Sequence, residues 1–187
     1  MDTTSAEEIL SDLCKTPARV AILRAVLDRH TVSVTNLSEH KKVNKGTASR
    51  YLSLMERAGA LVREGQGYRL VDSPLTVALR KLLNILTLQT SLPLPEWASG
   101  IGAYGSWGMG TNMEGSDLDL WVYSKEVPPA EQLGRLRRAV RDTISIDVQI
   151  LLLTPERIED LRRNDPPFYA SLMQSMILIR GEHCVHA

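Results

Sequence analysis

Apolar residues recur at helical spacing through the first third of the chain. Ser5 to Leu13 reads as a helix, and Pro17 to His30 as a second one, with Val20, Ile22, Leu23, Val26 and Leu27 forming its stripe and Pro17 in the tolerated first turn. Thr35 is the expected N-cap of a short third helix. A turn around Lys42-Val43-Asn44 then leads into a fourth, Lys45 to Arg57, which Gly59 ends. Ala60 to Val71 changes period to two short strands around a glycine-containing turn, which predicts a hairpin. Ser73 to Thr90 returns to helix but is apolar around most of its circumference, so burial on more than one side is expected. It is left to pack between domains or to form a homodimer interface through residues 75–90. Leu92-Pro93-Leu94-Pro95 breaks it.

Beyond Trp97 strands and helices alternate. Strands are expected at Ile101–Tyr104, Leu118–Tyr123, Ile146–Leu153 and Met176–Ile179. Helices are expected at Pro129–Thr143, Pro155–Arg163 and Pro167–Ser175. The pattern predicts an α+β chain: a helical and hairpin domain over 1–73, a connecting helix and linker over 74–95, and a mixed-sheet domain over 96–187.

Composition narrows the setting. The 187 residues carry 22 basic and 22 acidic side chains, a net charge of zero. Residues 1–73 hold 11 Lys/Arg against 9 Asp/Glu and the remainder 11 against 13, an asymmetry too small to argue for nucleic acid by itself. No apolar run reaches membrane-spanning length, and Asp2, Glu7 and Glu8 stand where a leader peptide would be basic. Cys14 and Cys184 lie at opposite ends without metal-ligand spacing. A cytoplasmic protein with two free thiols and no membrane partner is expected.

The acids carry the chemistry. On an extended strand Asp117 and Asp119 face the same side, roughly 6–7 Å apart along the backbone. Two such carboxylates suit Mg²⁺ (or Mn²⁺), whose shell substrate phosphates and water complete. Asp147 sits in another strand-like run, Ile144 to Ile150. A charge there is costly unless paired or metal-bound, and three converging carboxylates would hold a pair of divalent ions. The run Gly100-x-Gly102-x-x-Gly105 fits a dinucleotide fingerprint, but prolines precede it and Gly108, Gly110 and Gly115 follow, which argues against the required crossover helix. Arg135, Arg137, Arg138 and Arg141 read as a solvated helix face. Trp107 is open to a stacking or a packing role, and His183, Cys184 and His186 read as a frayed tail.

Two resemblances follow from these residues. The element order over residues 5–72, with the phrase Thr47 to Val62 and the hairpin after it, resembles a winged helix-turn-helix domain. That resemblance implies DNA binding, with Asn44, Lys45, Thr47, Ser49 and Arg50 on the groove-facing side and Lys41, Lys42, Arg63 and Arg69 placed to meet phosphates. Gly105-Ser106, ten intervening residues, Asp117-x-Asp119 and the later Asp147 resemble the minimal members of the DNA polymerase beta-like nucleotidyltransferase superfamily, over residues 97–183.

The second resemblance implies that Gly105 and Ser106 grip the phosphates of a nucleoside triphosphate. Asp117, Asp119 and Asp147 would then be metal ligands and catalytic groups, with Asp147 helping to deprotonate an attacking hydroxyl. The acceptor is expected to be a small molecule or a protein, such as a helical toxin-like partner. Small members often carry a basic residue where Met109 stands here. That departure motivates an alternative, a DNA-binding transcriptional regulator whose second half only senses nucleotide or mediates assembly.

Overall fold

The computed structural model describes residues 5–41 and 43–184, apart from the side chains of His40 and Lys41. The chain is α+β, with two small sheets. It divides into two compact units, Met1–Arg80 and Lys81–Ala187, and the division falls inside one helix, α5 (Pro74–Ser91).

The first unit begins with α1 (Ala6–Cys14), opened by a reciprocal cap in which Ser5 Oγ accepts from the Glu8 N–H and a Glu8 carboxylate oxygen accepts from the Ser5 N–H. Next comes α2 (Pro17–Leu27), capped by Thr16, and a two-residue strand β1 (Thr31–Val32) that the sequence pattern did not announce. Helix α3 starts at Val34, one residue before the expected cap. Ser33 does the capping instead, its Oγ accepting from the Asn36 N–H at 3.1 Å.

Helix α4 (Lys45–Arg57) has Asn44 as its cap, and Gly59 follows its end with φ +75°. Strands β2 (Leu61–Glu64) and β3 (Gly67–Leu70) form the hairpin, and β1 joins the free side of β3 in an antiparallel sheet ordered β1-β3-β2. Ile22, Leu23, Val26 and Leu27 of α2 and Ala48, Tyr51, Leu52 and Met55 of α4 fill the core. The buried Arg80 donates from Nε and Nη2 to the Leu27 carbonyl at 3.0 and 2.8 Å, placing its charge at the C-terminal end of α2.

The second unit holds a mixed sheet ordered β6-β5-β4-β7, from β4 (Gly100–Ala103), β5 (Leu118–Tyr123), β6 (Val148–Leu153) and β7 (Ile177–Gly181). Strands β5 and β6 are parallel, so the chain crosses between them through α7 (Ala130–Ile144). The one-turn α6 (Gly105–Met109) follows β4, while α8 (Pro155–Asn164) and α9 (Pro166–Ser175) lead to β7. Leu118, Leu120 and Val122 pack with Leu136 and Val140 of α7 on one sheet face. Trp121, Tyr123 and Leu153 pack with Leu161 and Leu172 on the other.

Two expectations change. Helix α7 runs on to Ile144 and closes on Ser145 in the left-handed region (φ 59°), so β6 starts at Val148 and Asp147 stands just ahead of it. Helix α5 leaves Leu75, Leu82 and Leu86 exposed along one strip, while Leu79 and Leu88, nine residues and so half a turn apart, are both buried, as burial on more than one side requires. The tail is packed as far as Cys184: the His183 ring lies 5.6 Å from Trp121 and Cys184 is buried, while His186 lies outside the described residues. Among the described residues no helix is long and apolar enough to cross a membrane.

Candidate functional site

Alternation along β5 sorts its side chains. With Leu118, Leu120 and Val122 committed to the α7 side, Asp119 must share the opposite face with Trp121 and Tyr123, and Asp117 lies on that face one residue before the strand. The parallel register pairs Leu118 with Val148 and Asp119 with Gln149, and the Leu118 N–H donates to the Asp147 carbonyl at 2.8 Å. Asp117 and Asp147 therefore stand level at the heads of adjacent strands. Gln149 completes the group by donating from Nε2 to Asp117 Oδ2 at 3.0 Å. Asp117 and Asp147 are exposed and Asp119 is half-buried. Among the described residues no three His, Cys, Asp or Glu side chains are gathered as a ready-made ion-binding set.

The turn after β4 is built against the same face. Strand β4 runs antiparallel to β5, with Ala103 opposite Leu120, and the Tyr104 N–H donates to the Asp119 carbonyl at 3.0 Å. The chain then turns at Gly105, whose φ of +62° favours glycine. A Cβ at that position would lie 2.9 Å from Asp119 Oδ2. The Gly105 Cα and the Asp119 carboxylate are thus in direct contact. The Gly105 N–H is already engaged, donating to Ser175 Oγ at 3.1 Å, which leaves the half-buried Ser106 as the other half of the pair.

The glycines of the rejected dinucleotide pattern have structural employment. Gly100 and Gly102 lie in β4 with their Cα atoms against the backbone carbonyls of Glu182 and Ile177. Trp107 is 5 % exposed and belongs to the core, which settles its role as packing. Asn84 steadies the segment beyond it, donating to the Trp107 carbonyl at 2.9 Å and to Asn112 Oδ1 at 2.7 Å. Met109, at the end of α6, is 44 % exposed.

Charge is strained here. Burial first, and then the negative charge of Asp117, hold the Asp119 carboxyl above the ordinary carboxylate range. Burial, with Asp119 as the next cause, pushes the Tyr104 phenol up. A cation beside the two carboxylates would relieve both effects. Two acidic oxygens from one strand suit a hard divalent ion that fills its remaining positions with water and phosphate.

In the first unit, Asn44, Lys45, Ser49 and Arg50 are exposed on α4 and Thr47 is half-buried. Asn44 Oδ1 is occupied as the cap, accepting from the Gly46 N–H at 2.7 Å. Lys42 and the side chain of Lys41 lie outside the described residues. On the hairpin, the Arg63 guanidinium sits 5.6 Å from the Tyr68 ring centroid, and Arg69 lies 3.7 Å from Glu64. Arg135, Arg137, Arg138 and Arg141 of α7 are exposed, as expected.

Sequence reading missed Gln149 and Ser175. Gln149 had a usable signal, since it stands two residues after Asp147 and so on the same face. Ser175 had none, because its meeting with Gly105 is purely tertiary. No model of a known protein family matches the chain, and no curated protein sequence matches it.

Proposed function

We propose that the second unit is a metal-dependent nucleotidyltransferase of the minimal type and that the first is a winged helix-turn-helix module for DNA or for a partner. The observation that carries the reading is the contact between Gly105 and Asp119, which joins the Gly-Ser turn to the acidic pair at one place. The parallel register adds the head of β6, and Asp147 with it.

Asp117 and Asp119 would hold Mg²⁺ or Mn²⁺, with Asp147 level with Asp117 and available to a second ion. Bound divalent ions would neutralise the phosphates and stabilise the charge that develops at the α-phosphorus. Ser106 presents its hydroxyl to the terminal phosphates. Asp147, exposed at the strand head, takes the proton of the acceptor hydroxyl as its oxygen bonds to the α-phosphorus and the bond to pyrophosphate breaks. Gln149 holds Asp117 from the side. The acceptor is a protein or small-molecule hydroxyl. Incubation with labelled nucleoside triphosphates, Mg²⁺ and candidate acceptors, including a helical toxin-like partner, tests the reading. Labelled acceptor from the natural protein and none from Asp117→Ala is the expected result; label transfer that survives Asp117→Ala overturns it.

A second reading is favoured by Met109, apolar and exposed where a cation would assist phosphate binding. In it the chain is a DNA-binding regulator that senses nucleotide without turnover. Nucleotide would then alter DNA affinity with no pyrophosphate released, and pyrophosphate release would exclude it.

A further inference from the structure

We infer that Ser175 is the positioning residue of the Gly105–Ser106 turn, and that the Gly105 amide is a structural donor, leaving the phosphate contact to Ser106. The consequence for catalysis rests on the nucleotidyl-transfer reading; the geometry does not.

Ser175 is the last residue of α9, 6 % exposed, and 70 residues from Gly105 in sequence. A serine hydroxyl has one proton to give. Here the proton goes back along α9, with Oγ 2.8 Å from the Ser171 carbonyl and 3.3 Å from that of Leu172. The oxygen's lone pairs are then left for the Gly105 N–H at 3.1 Å, so the direction of that bond is determined by α9 itself. A second contact comes from the same residue. The Ser175 carbonyl lies against the Gly108 Cα so closely that no Cβ could stand there.

Gly105 and Gly108 are three apart and bracket Ser106 and Trp107. One residue of α9 therefore holds both ends of the α6 turn, while the Asp119 carboxylate closes on the Gly105 Cα from the β5 side. Shifting α6 would move Ser106, and with it the Gly105 Cα that Asp119 packs against, while both carboxylates remain available for chemistry. That separates positioning from chemistry: loss of Ser175 should weaken nucleotide binding and spare the step that follows.

Amide hydrogen exchange of the full chain, followed by NMR, reads the geometry without any need for activity. In Ser175→Ala the Gly105 amide should exchange about tenfold faster, the scale of one lost neutral hydrogen bond, while the Leu120 amide in β5 keeps its protection. Ser175→Thr retains an acceptor hydroxyl and should restore Gly105 protection. Ser175→Cys, of similar size with a weak acceptor, serves if the alanine variant does not fold, and should resemble the alanine prediction.

In the transfer assay, Ser175→Ala should raise the KM for the magnesium–nucleotide complex about tenfold, with kcat within about twofold, and threonine should reverse the change. The inference is overturned by unchanged Gly105 exchange, by threonine behaving like alanine, or by a loosened Gly105 amide with an unaltered KM. Absence of transfer by the natural protein would sink the nucleotidyl reading, and the exchange comparison would still decide the role of Ser175.

Discussion

The Leu118 N–H donates to the Asp147 carbonyl oxygen at 2.8 Å, and this one bond sets two acidic strand heads side by side. Because it starts the parallel ladder, it determines that Asp119 pairs with Gln149 and leaves Asp117 and Asp147 each one residue ahead of the first pair, Leu118 and Val148. A one-residue slip of either strand would turn that strand's own acids to the opposite face of the sheet, into the core of Leu136 and Val140. Apolar packing on the α7 side thus specifies where the carboxylates stand.

Gly105→Ala should destabilise the second unit. It puts a side chain on a backbone with φ +62° and a Cβ 2.9 Å from Asp119 Oδ2. The left-handed conformation alone costs about 1–2 kcal/mol, so the melting temperature should fall by roughly 4 °C or more. Calorimetry checks this, and a melting temperature within one degree of the natural protein would contradict the contact.

Asp119 gives the protein a signed pH dependence. Its carboxyl is raised by burial and by Asp117, so between the ordinary carboxylate pKa and the raised one the folded state binds more protons than the unfolded state. Stability therefore rises as pH falls through that window, and the penalty is fully present above the raised pKa. Asp119→Asn should melt higher than the natural protein at pH 7 and lose that advantage as the pH is lowered toward the ordinary carboxylate range. Melting curves of the two proteins across that range decide it; an asparagine variant that melts lower at pH 7 would count against the strained carboxylate.

Gln149→Ala should separate stability from function. Its bond to Asp117 is exposed, so unfolding free energy should change by no more than about 0.5 kcal/mol. Transfer should fall about three- to tenfold as Asp117 loses its lateral restraint. Equal kcat/KM in the two proteins would remove Gln149 from the site.

Elements governed by local signals were legible beforehand. Helix α4 carries its own stripe, cap and glycine stop, and β5 its own apolar run, so Lys45–Arg57 and Leu118–Tyr123 were read to the residue. Strand β1 is two residues long and exists only because β3 has a free edge. Ile144-Ser145-Ile146 alternates like a strand, yet Ser145 ends a helix in the left-handed region and both isoleucines are half-buried without being strand. The acids were visible as a spaced motif. Their relation to Gly105 needed the β4–β5 pairing, and the hold of Ser175 on that turn needed the whole unit.

Tyr51→Phe tests the core of the first unit. The buried phenol donates to the Leu13 carbonyl at 2.9 Å, and burial pushes its pKa up, so it stays a donor across the working pH range. Removing it leaves a buried acceptor unpaired at a cost of about 1–3 kcal/mol. Denaturant unfolding should show a lower midpoint with unchanged slope. No shift in midpoint would mean that water replaces the phenol.

Arg50→Gln tests the proposed DNA face of α4. Arg50 is exposed, so its loss should leave stability within about 0.5 kcal/mol of the natural protein. If its guanidinium meets a phosphate, affinity for duplex DNA should drop by a similar factor on every sequence, and the slope of log affinity against log salt should shrink by about 1. If it meets a base edge, the loss should be confined to sites carrying the matching base, at about 1–3 kcal/mol. Fluorescence anisotropy on several duplexes over a range of salt separates the two outcomes. A natural protein with no affinity for duplex DNA at low salt would remove nucleic acid from the first unit and leave α4 as a face for a protein partner.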